Sequence, residues 1–250
     1  MLPVVTPLAR PPRLAPWPRK SWPGGSGLSL LLASAFASER PGSARSLSNI
    51  APTRTRPPAV TFAHRKIFSD ATQFNPTDPD SHAAYGGGRF DSPGGDPPFL
   101  YAGSSIEAAL SESLLRTLPF PPTGKRELAR RKLEGRSISE LALATSIWVV
   151  ALHGEGLQHV GQDGWLTHCP GSSYPMTRLW GAQIRRWVPR AAGLEWRARH
   201  HDDEMSYVLY EGDVPPDALV EVQTYEVDTA DGLAVISPAL RRLNVAPPLL

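Results

Sequence analysis

One block, Gly86 to Leu115, constrains the fold of this chain more than any other: GGGRFDSPGGDPPFLYAGSSIEAALSESLL. It contains a glycine-rich loop, then a short apolar strand at Phe99-Leu100-Tyr101-Ala102, then a helix with almost no linker between them. Ser104 followed by Glu107 reads as a capping box. Ile106, Ala109, Leu110, Ser113 and Leu114 fall on one helical face.

Further strands are expected at Ala59–Phe62, Ile147–Leu152, Leu194–Trp196, Tyr207–Tyr210 and Ala218–Val227, where β-branched or aromatic residues lie between turn signals. A second helix is expected from Pro175 in its first turn to a stop at Pro189, with Met176, Leu179, Trp180, Ile184 and Trp187 as its apolar stripe. A weaker helix is expected over Arg126–Leu133. Strands and helices do not alternate regularly, so a doubly wound parallel sheet is disfavoured and an α+β domain of about 175 residues fits better. A domain of that size buries about 70% of its unfolded surface, enough for one core.

The ends differ from this middle. Residues 1–60 hold eight of the 26 Lys and Arg residues, one acidic residue (Glu39) and eleven of the 27 prolines. The rest carries 18 basic and 23 acidic residues, so the overall charge of +2 belongs to the leader. This argues against nucleic-acid binding by the folded domain. We therefore divide the chain into a low-complexity leader (1–58) expected to be disordered, a domain (59–235) and a tail (236–250). Within the leader, residues 10–37 have the basic-then-apolar order of an export signal. A tail without a targeting role, and so a cytoplasmic protein, is the favoured reading, with export as the alternative. No apolar run is long enough to span a bilayer. The lone cysteine, Cys169, excludes a disulfide framework, and its neighbour His168 does not give zinc-site spacing.

Three residues of the first block bear chemistry. Arg89 follows three glycines, which let backbone N–H groups approach a ligand, and its planar fork suits phosphate oxygens; an ordinary loop arginine is the plainer alternative. Tyr101 is either a stacking and hydrogen-bonding group or a core tyrosine. Glu112 lies off the apolar stripe, as a surface glutamate would. Its small and apolar helical neighbours, Ala108, Ala109 and Leu115, also leave room for a ligand, and a partly buried carboxylate there could stabilise positive charge on a sugar. Arg65 is a second candidate clamp. Arg178, Arg185 and Arg186 read as a solvated helix face, and His200-His201-Asp202-Asp203-Glu204 as a hairpin loop rather than a metal site. Neither a Rossmann fingerprint nor a P-loop is present.

The order of these residues resembles the RES domain family. Arg65 stands where the family has an early arginine, followed by Phe74-Asn75-Pro76, Gly88-Arg89-Phe90-Asp91, Leu100-Tyr101-Ala102 and Ala108-Ala109-Leu110-Ser111-Glu112. Tyr174, Thr177-Arg178-Leu179-Trp180 and Gly193-Leu194-Glu195-Trp196-Arg197-Ala198-Arg199 complete the set. The resemblance implies an ADP-ribosyltransferase-like fold with a split, mostly antiparallel sheet and a few flanking helices. It also implies NAD as substrate without a metal, and a role as the toxin of a toxin–antitoxin pair. Such toxins hydrolyse or phosphorolyse NAD, or transfer ADP-ribose to protein, and a helix-turn-helix antitoxin covers their site. On this resemblance Glu112, Arg89 and Tyr101 are catalytic, and Arg65, Arg89, Tyr101 and position 198 bind the ligand. The family serine is replaced here by Ala198, which implies either a weakened enzyme or a binding module, unless a neighbour such as Ser206 supplies the hydroxyl. A homodimer is a further expectation.

Overall fold

The structure is a computed structural model. It describes residues 53–55, 60–65, 70–76, 87–92, 97–122 and 124–248, with backbone alone for the first two segments. The signal-like segment and nearly all of the leader lie outside the described residues. All described residues belong to one compact unit, Ala44–Leu250.

Its centre is an eight-stranded sheet. In chain order the strands are β1 (Thr53–Thr55), β2 (Val60–Arg65), β3 (Phe99–Gly103), β5 (Arg136–Leu143), β6 (Ile147–Ala151), β7 (Gly193–Ala198), β8 (His201–Tyr210) and β9 (Leu219–Glu226). Across the sheet they run β1-β6-β7-β8-β3-β2-β5-β9. Among the described residues of this sheet, β6 and β7 pair in parallel and the other pairs are antiparallel. A two-stranded parallel ladder joins β4 (Arg126–Glu127) to β10 (Val245–Ala246). Five α-helices accompany the sheets among the described residues: α1 (Ile106–Glu112), α2 (Glu155–His159), α3 (Trp165–His168), α4 (Tyr174–Trp187) and α5 (Ala230–Arg242). The expected α+β class and mostly antiparallel sheet are what the chain adopts.

The sheet is narrowest where β3 meets β2, joined by a single register pair, Thr61↔Gly103. The helix α1 begins three residues after that pair. Gly103 makes this possible: a Cβ there would lie 2.6 Å from the backbone nitrogen of Ala109, so only glycine lets helix and strand come this close. Strand alternation sends Leu100 and Ala102 to one core, with Ala71, Leu141 and Tyr207, and Tyr101 to another, with Phe90, Ile184, Trp196 and Val208. A third core joins Leu110, Leu114 and Leu115 to Ile236, Leu240 and Leu243.

Several expectations change. The cap of α1 is Ser105, whose side chain accepts from Ala108 N–H at 3.2 Å. Ser104 instead hydrogen-bonds Glu204, and Glu107 pairs with Arg242 on α5. Residues 126–133 form β4 and a 3-10 turn at Arg130–Lys132 rather than one helix. The boundary expected at 235/236 falls inside α5, whose Leu233, Ile236 and Leu240 pack into the core. Residues Thr53–Thr55, assigned above to the leader, extend the sheet edge beside β6.

Candidate functional site

The loop Gly87–Ser92 passes beneath α4 and is held at almost every residue. Gly88 N–H donates to Asp91 Oδ2 at 2.7 Å, and Phe90 N–H donates to the Tyr101 hydroxyl at 2.7 Å. Thr177 Oγ1 donates to the Arg89 carbonyl at 2.5 Å, and Tyr210 donates to the Phe90 carbonyl at 3.2 Å. Arg178 Nε donates to the Gly88 carbonyl at 3.1 Å, and its Nη2 lies 3.7 Å from Asp91. Glycine at 88 is required by close approach, since a Cβ would come within 2.5 Å of the Tyr101 oxygen and would overlap Asp91.

This overturns the solvated-face reading of Arg178, which is 1% exposed and pinned to the loop. Arg185 is likewise engaged: it bridges Asp213 at 2.9 Å and lies over the Tyr210 ring at 4.6 Å. The buried face of α4 is Tyr174, Thr177, Arg178, Gly181, Ala182 and Ile184, while Leu179 of the expected apolar stripe is exposed. Tyr101 packs edge-on against Phe99 and Trp196, with its oxygen committed to the loop. Burial, and then the nearby Asp91 carboxylate, push its phenol well above the ordinary value near 10, so it stays neutral.

Arg89 lies inside this frame, 3% exposed. Its Nη1 donates to the Cys169 carbonyl at 3.1 Å and to Sγ at 3.0 Å, and its Nε and Nη2 are buried without a hydrogen-bond partner. The guanidinium carbon is 4.9 Å from the Tyr174 ring centroid. A second guanidinium, Arg116, approaches the same ring at 5.8 Å. Two cations on one aromatic ring, one of them with unused N–H groups, form a site suited to a polyanion. Burial pushes the Cys169 thiol up, more than the adjacent Arg89 and Arg199 pull it down, so it is not an activated nucleophile.

Glu112 ends α1, partly exposed, and its Oε1 accepts from Arg199 N–H at 2.8 Å. Arg199 is also close enough to lower both the Cys169 thiol and His200 electrostatically. Glu112 thus lies on the backbone of Arg199, whose side chain acts on Cys169, and four residues before Arg116, which approaches Tyr174. Beside it, His200 Nε2 faces the Arg116 carbonyl at 3.4 Å, and the His200 ring meets Phe120 edge-on at 5.3 Å.

The other sequence candidates fall as follows. Arg65 is the last residue of β2, in register with Arg136, and its side chain lies outside what is described. Ala198 is fully buried on β7, one residue before the Glu112 contact. Ser206 is buried on β8 opposite Trp196 and Gly103, and neither its hydroxyl nor Trp196 Nε1 has a hydrogen-bond partner. The acidic run begins β8 rather than forming a loop. Among the described residues no group of three or more His, Cys, Asp or Glu side chains is placed to hold a metal, and no helix is long and apolar enough to cross a membrane. Arg116, Asp91 and Arg199 were missed as individual contributors. Asp91 and Arg199 stand inside the matched motifs, but their partners Arg178 and Glu112, like the Tyr174 ring that Arg116 approaches, are distant in the chain.

The family model described as the RES domain matches residues 60–232. This chain belongs to the RES domain family. It is similar to one chain of the crystal structure of the M. tuberculosis MbcT–MbcA toxin–antitoxin complex, at 16% identity and a TM-score of 0.49, over 75% of this chain and 92% of that one. No curated protein matches.

Proposed function

We propose that the protein cleaves the bond between nicotinamide and ribose in NAD, acting as a RES-type toxin. The observation that carries this reading is the pair Arg89 and Arg116 on the Tyr174 ring, together with the Glu112 carboxylate held by Arg199 N–H four residues before Arg116. A buried guanidinium with unused donors is costly unless an anion meets it; the pyrophosphate of a dinucleotide supplies one. Arg65 joins the clamp by family resemblance.

In the reaction the C1′–N bond breaks and its electron pair leaves with the nicotinamide nitrogen, which neutralises the pyridinium. Positive charge develops on the ribose, and Glu112 stabilises it while accepting from a ribose hydroxyl. A nucleophile (water, phosphate or a protein side chain) then bonds to C1′ and gives up its proton. Tyr101 serves by fixing the loop that carries Arg89. It is a neutral anchor whose oxygen accepts from the loop at Phe90 N–H.

The test is nicotinamide release from NAD by the purified protein, wild type against Glu112→Gln. Release at the same background rate by both would end the catalytic assignment. The toxin role predicts that expression in cells depletes NAD and arrests growth, and that a helix-turn-helix antitoxin relieves both.

A second reading, a binding module without turnover, is favoured by Ala198, whose methyl offers no hydrogen bond in the buried strand beside Glu112. It predicts calorimetric binding of NAD with no nicotinamide released; release restored only by Ala198→Ser would instead mark a decayed enzyme.

A further inference from the structure

Phe120 is the most exposed large apolar side chain among the described residues, at 63%. It stands between Pro119 and Pro121-Pro122, whose fixed φ angles reduce the freedom of the segment. Its ring is also fixed from the protein side. The Arg126 guanidinium lies 4.2 Å from the centroid, and the His200 ring meets it at 5.3 Å and 64°.

Arg126 is 3% exposed; its Nη2 donates to the Leu243 carbonyl at 2.7 Å, and its Nε and Nη1 meet no acceptor. Its charge is therefore directed at the aromatic ring without a carboxylate to offset it. A cation on one face draws down the electron density of the ring, which favours an electron-rich heteroaromatic on the other. An exposed phenylalanine so held is a stacking platform.

Its position supplies the occupant. Glu112, Arg116 and Phe120 follow each other at intervals of four residues along the segment leaving α1. His200 joins the last two, facing the Arg116 carbonyl and the Phe120 ring, and adjoins Arg199, which holds Glu112. The segment thus presents a carboxylate, a guanidinium and an aromatic ring in that order. A dinucleotide presents a ribose, a pyrophosphate and a purine in the same order.

We propose that Phe120, backed by Arg126, is the adenine subsite, so that the enzyme selects the dinucleotide over the mononucleotide. This rests on the NAD reading above. The chemistry it adds is recognition of the purine end, remote from the bond that breaks.

The experiment measures nicotinamide release from NAD and from nicotinamide mononucleotide, which keeps the reacting ribose and one phosphate but lacks adenine. Loss of one base–aromatic stack corresponds to a drop of about tenfold or more. Phe120→Ala is expected to lower the ratio of kcat/KM for NAD to that for the mononucleotide by that amount, through KM for NAD, and Phe120→Trp to restore it. An unchanged ratio overturns the subsite while leaving the NAD reading intact, including when Phe120→Ala weakens only the grip of a protein partner. Wild-type protein that releases nicotinamide from neither compound overturns both.

Discussion

The loop that carries Arg89 and the lip that carries Glu112 are built on opposite plans. In the loop, Gly88, Arg89 and Phe90 are bonded through their backbones to Asp91, Tyr101, Thr177, Arg178 and Tyr210. In the lip, Glu112, Arg116, Arg199 and His200 are partly exposed and share two polar contacts, one of them long. A buried cation needs a rigid frame, because any slack would let it relax towards water. A carboxylate that follows a developing charge needs access instead. Substitutions in the loop should therefore cost stability, and substitutions in the lip should cost turnover.

The largest effect should come from Arg178→Ala. It removes the bond to the Gly88 carbonyl and leaves Asp91 without its cation in a buried setting. Breaking such a pair costs about 3 kcal/mol or more, to be read as a fall in unfolding free energy by denaturant titration. Arg178→Lys should recover little, since a point charge does not reproduce the planar fork. If both variants unfold like wild type, the loop is not clamped from α4 and the contrast fails at its stronger side.

Glu112→Gln probes the other side. The amide keeps an oxygen for Arg199 N–H but loses the negative charge. Nicotinamide release should fall about a hundredfold, equivalent to ~2.7 kcal/mol, with stability almost unchanged. A large stability loss without a rate effect would make Glu112 a structural residue and reverse its place in the comparison.

Gly88→Ala should have a smaller effect than either and touch both sides. The new methyl would press on the Tyr101 oxygen and the Asp91 carboxylate, and overpacking of this kind costs about 2 kcal/mol. Because Arg89 is the next residue, NAD affinity should fall along with stability, as kcat stays near that of wild type. Thermal unfolding with and without NAD separates the two losses.

How far all this could be read from the sequence follows the same division. Strand β3 and the helices α1 and α4 were legible because the apolar period and the Pro near the start of α4 are local signals, although the cap of α1 is Ser105 rather than Ser104. Strand β5 was not: its inward positions include Ser137 and Ser139, and Ser139 bonds across the sheet to Thr224. Helix α5 contains Pro238, and part of it was read as a tail. Arg178 looked like surface charge because periodicity counts an arginine as polar wherever it sits, and only the fold brings Asp91 and the Gly88 carbonyl to it. Arg89 and Glu112 were named from their order along the chain. The Tyr174 ring that draws Arg89 and Arg116 together became visible only once α4 was packed over the loop.

The smallest effect belongs to the lip and concerns pH. Burial lowers the pKa of His200 below its ordinary 6.5, and the neighbouring Arg199 and Arg126 add to this, while the Arg116 carbonyl and Glu112 oppose it. The unfolded chain then binds a proton that the folded chain resists, so stability increases with pH across that interval. The contribution is complete above about pH 6.5 and is lost as pH falls through the lower folded value. Denaturant midpoints measured between pH 7 and pH 5 should fall for wild type and fall less for His200→Gln. A steeper fall in the variant would mean that Glu112 outweighs burial and holds His200 protonated. The lip would then be an ion pair, as charge-bound as the loop it is set against.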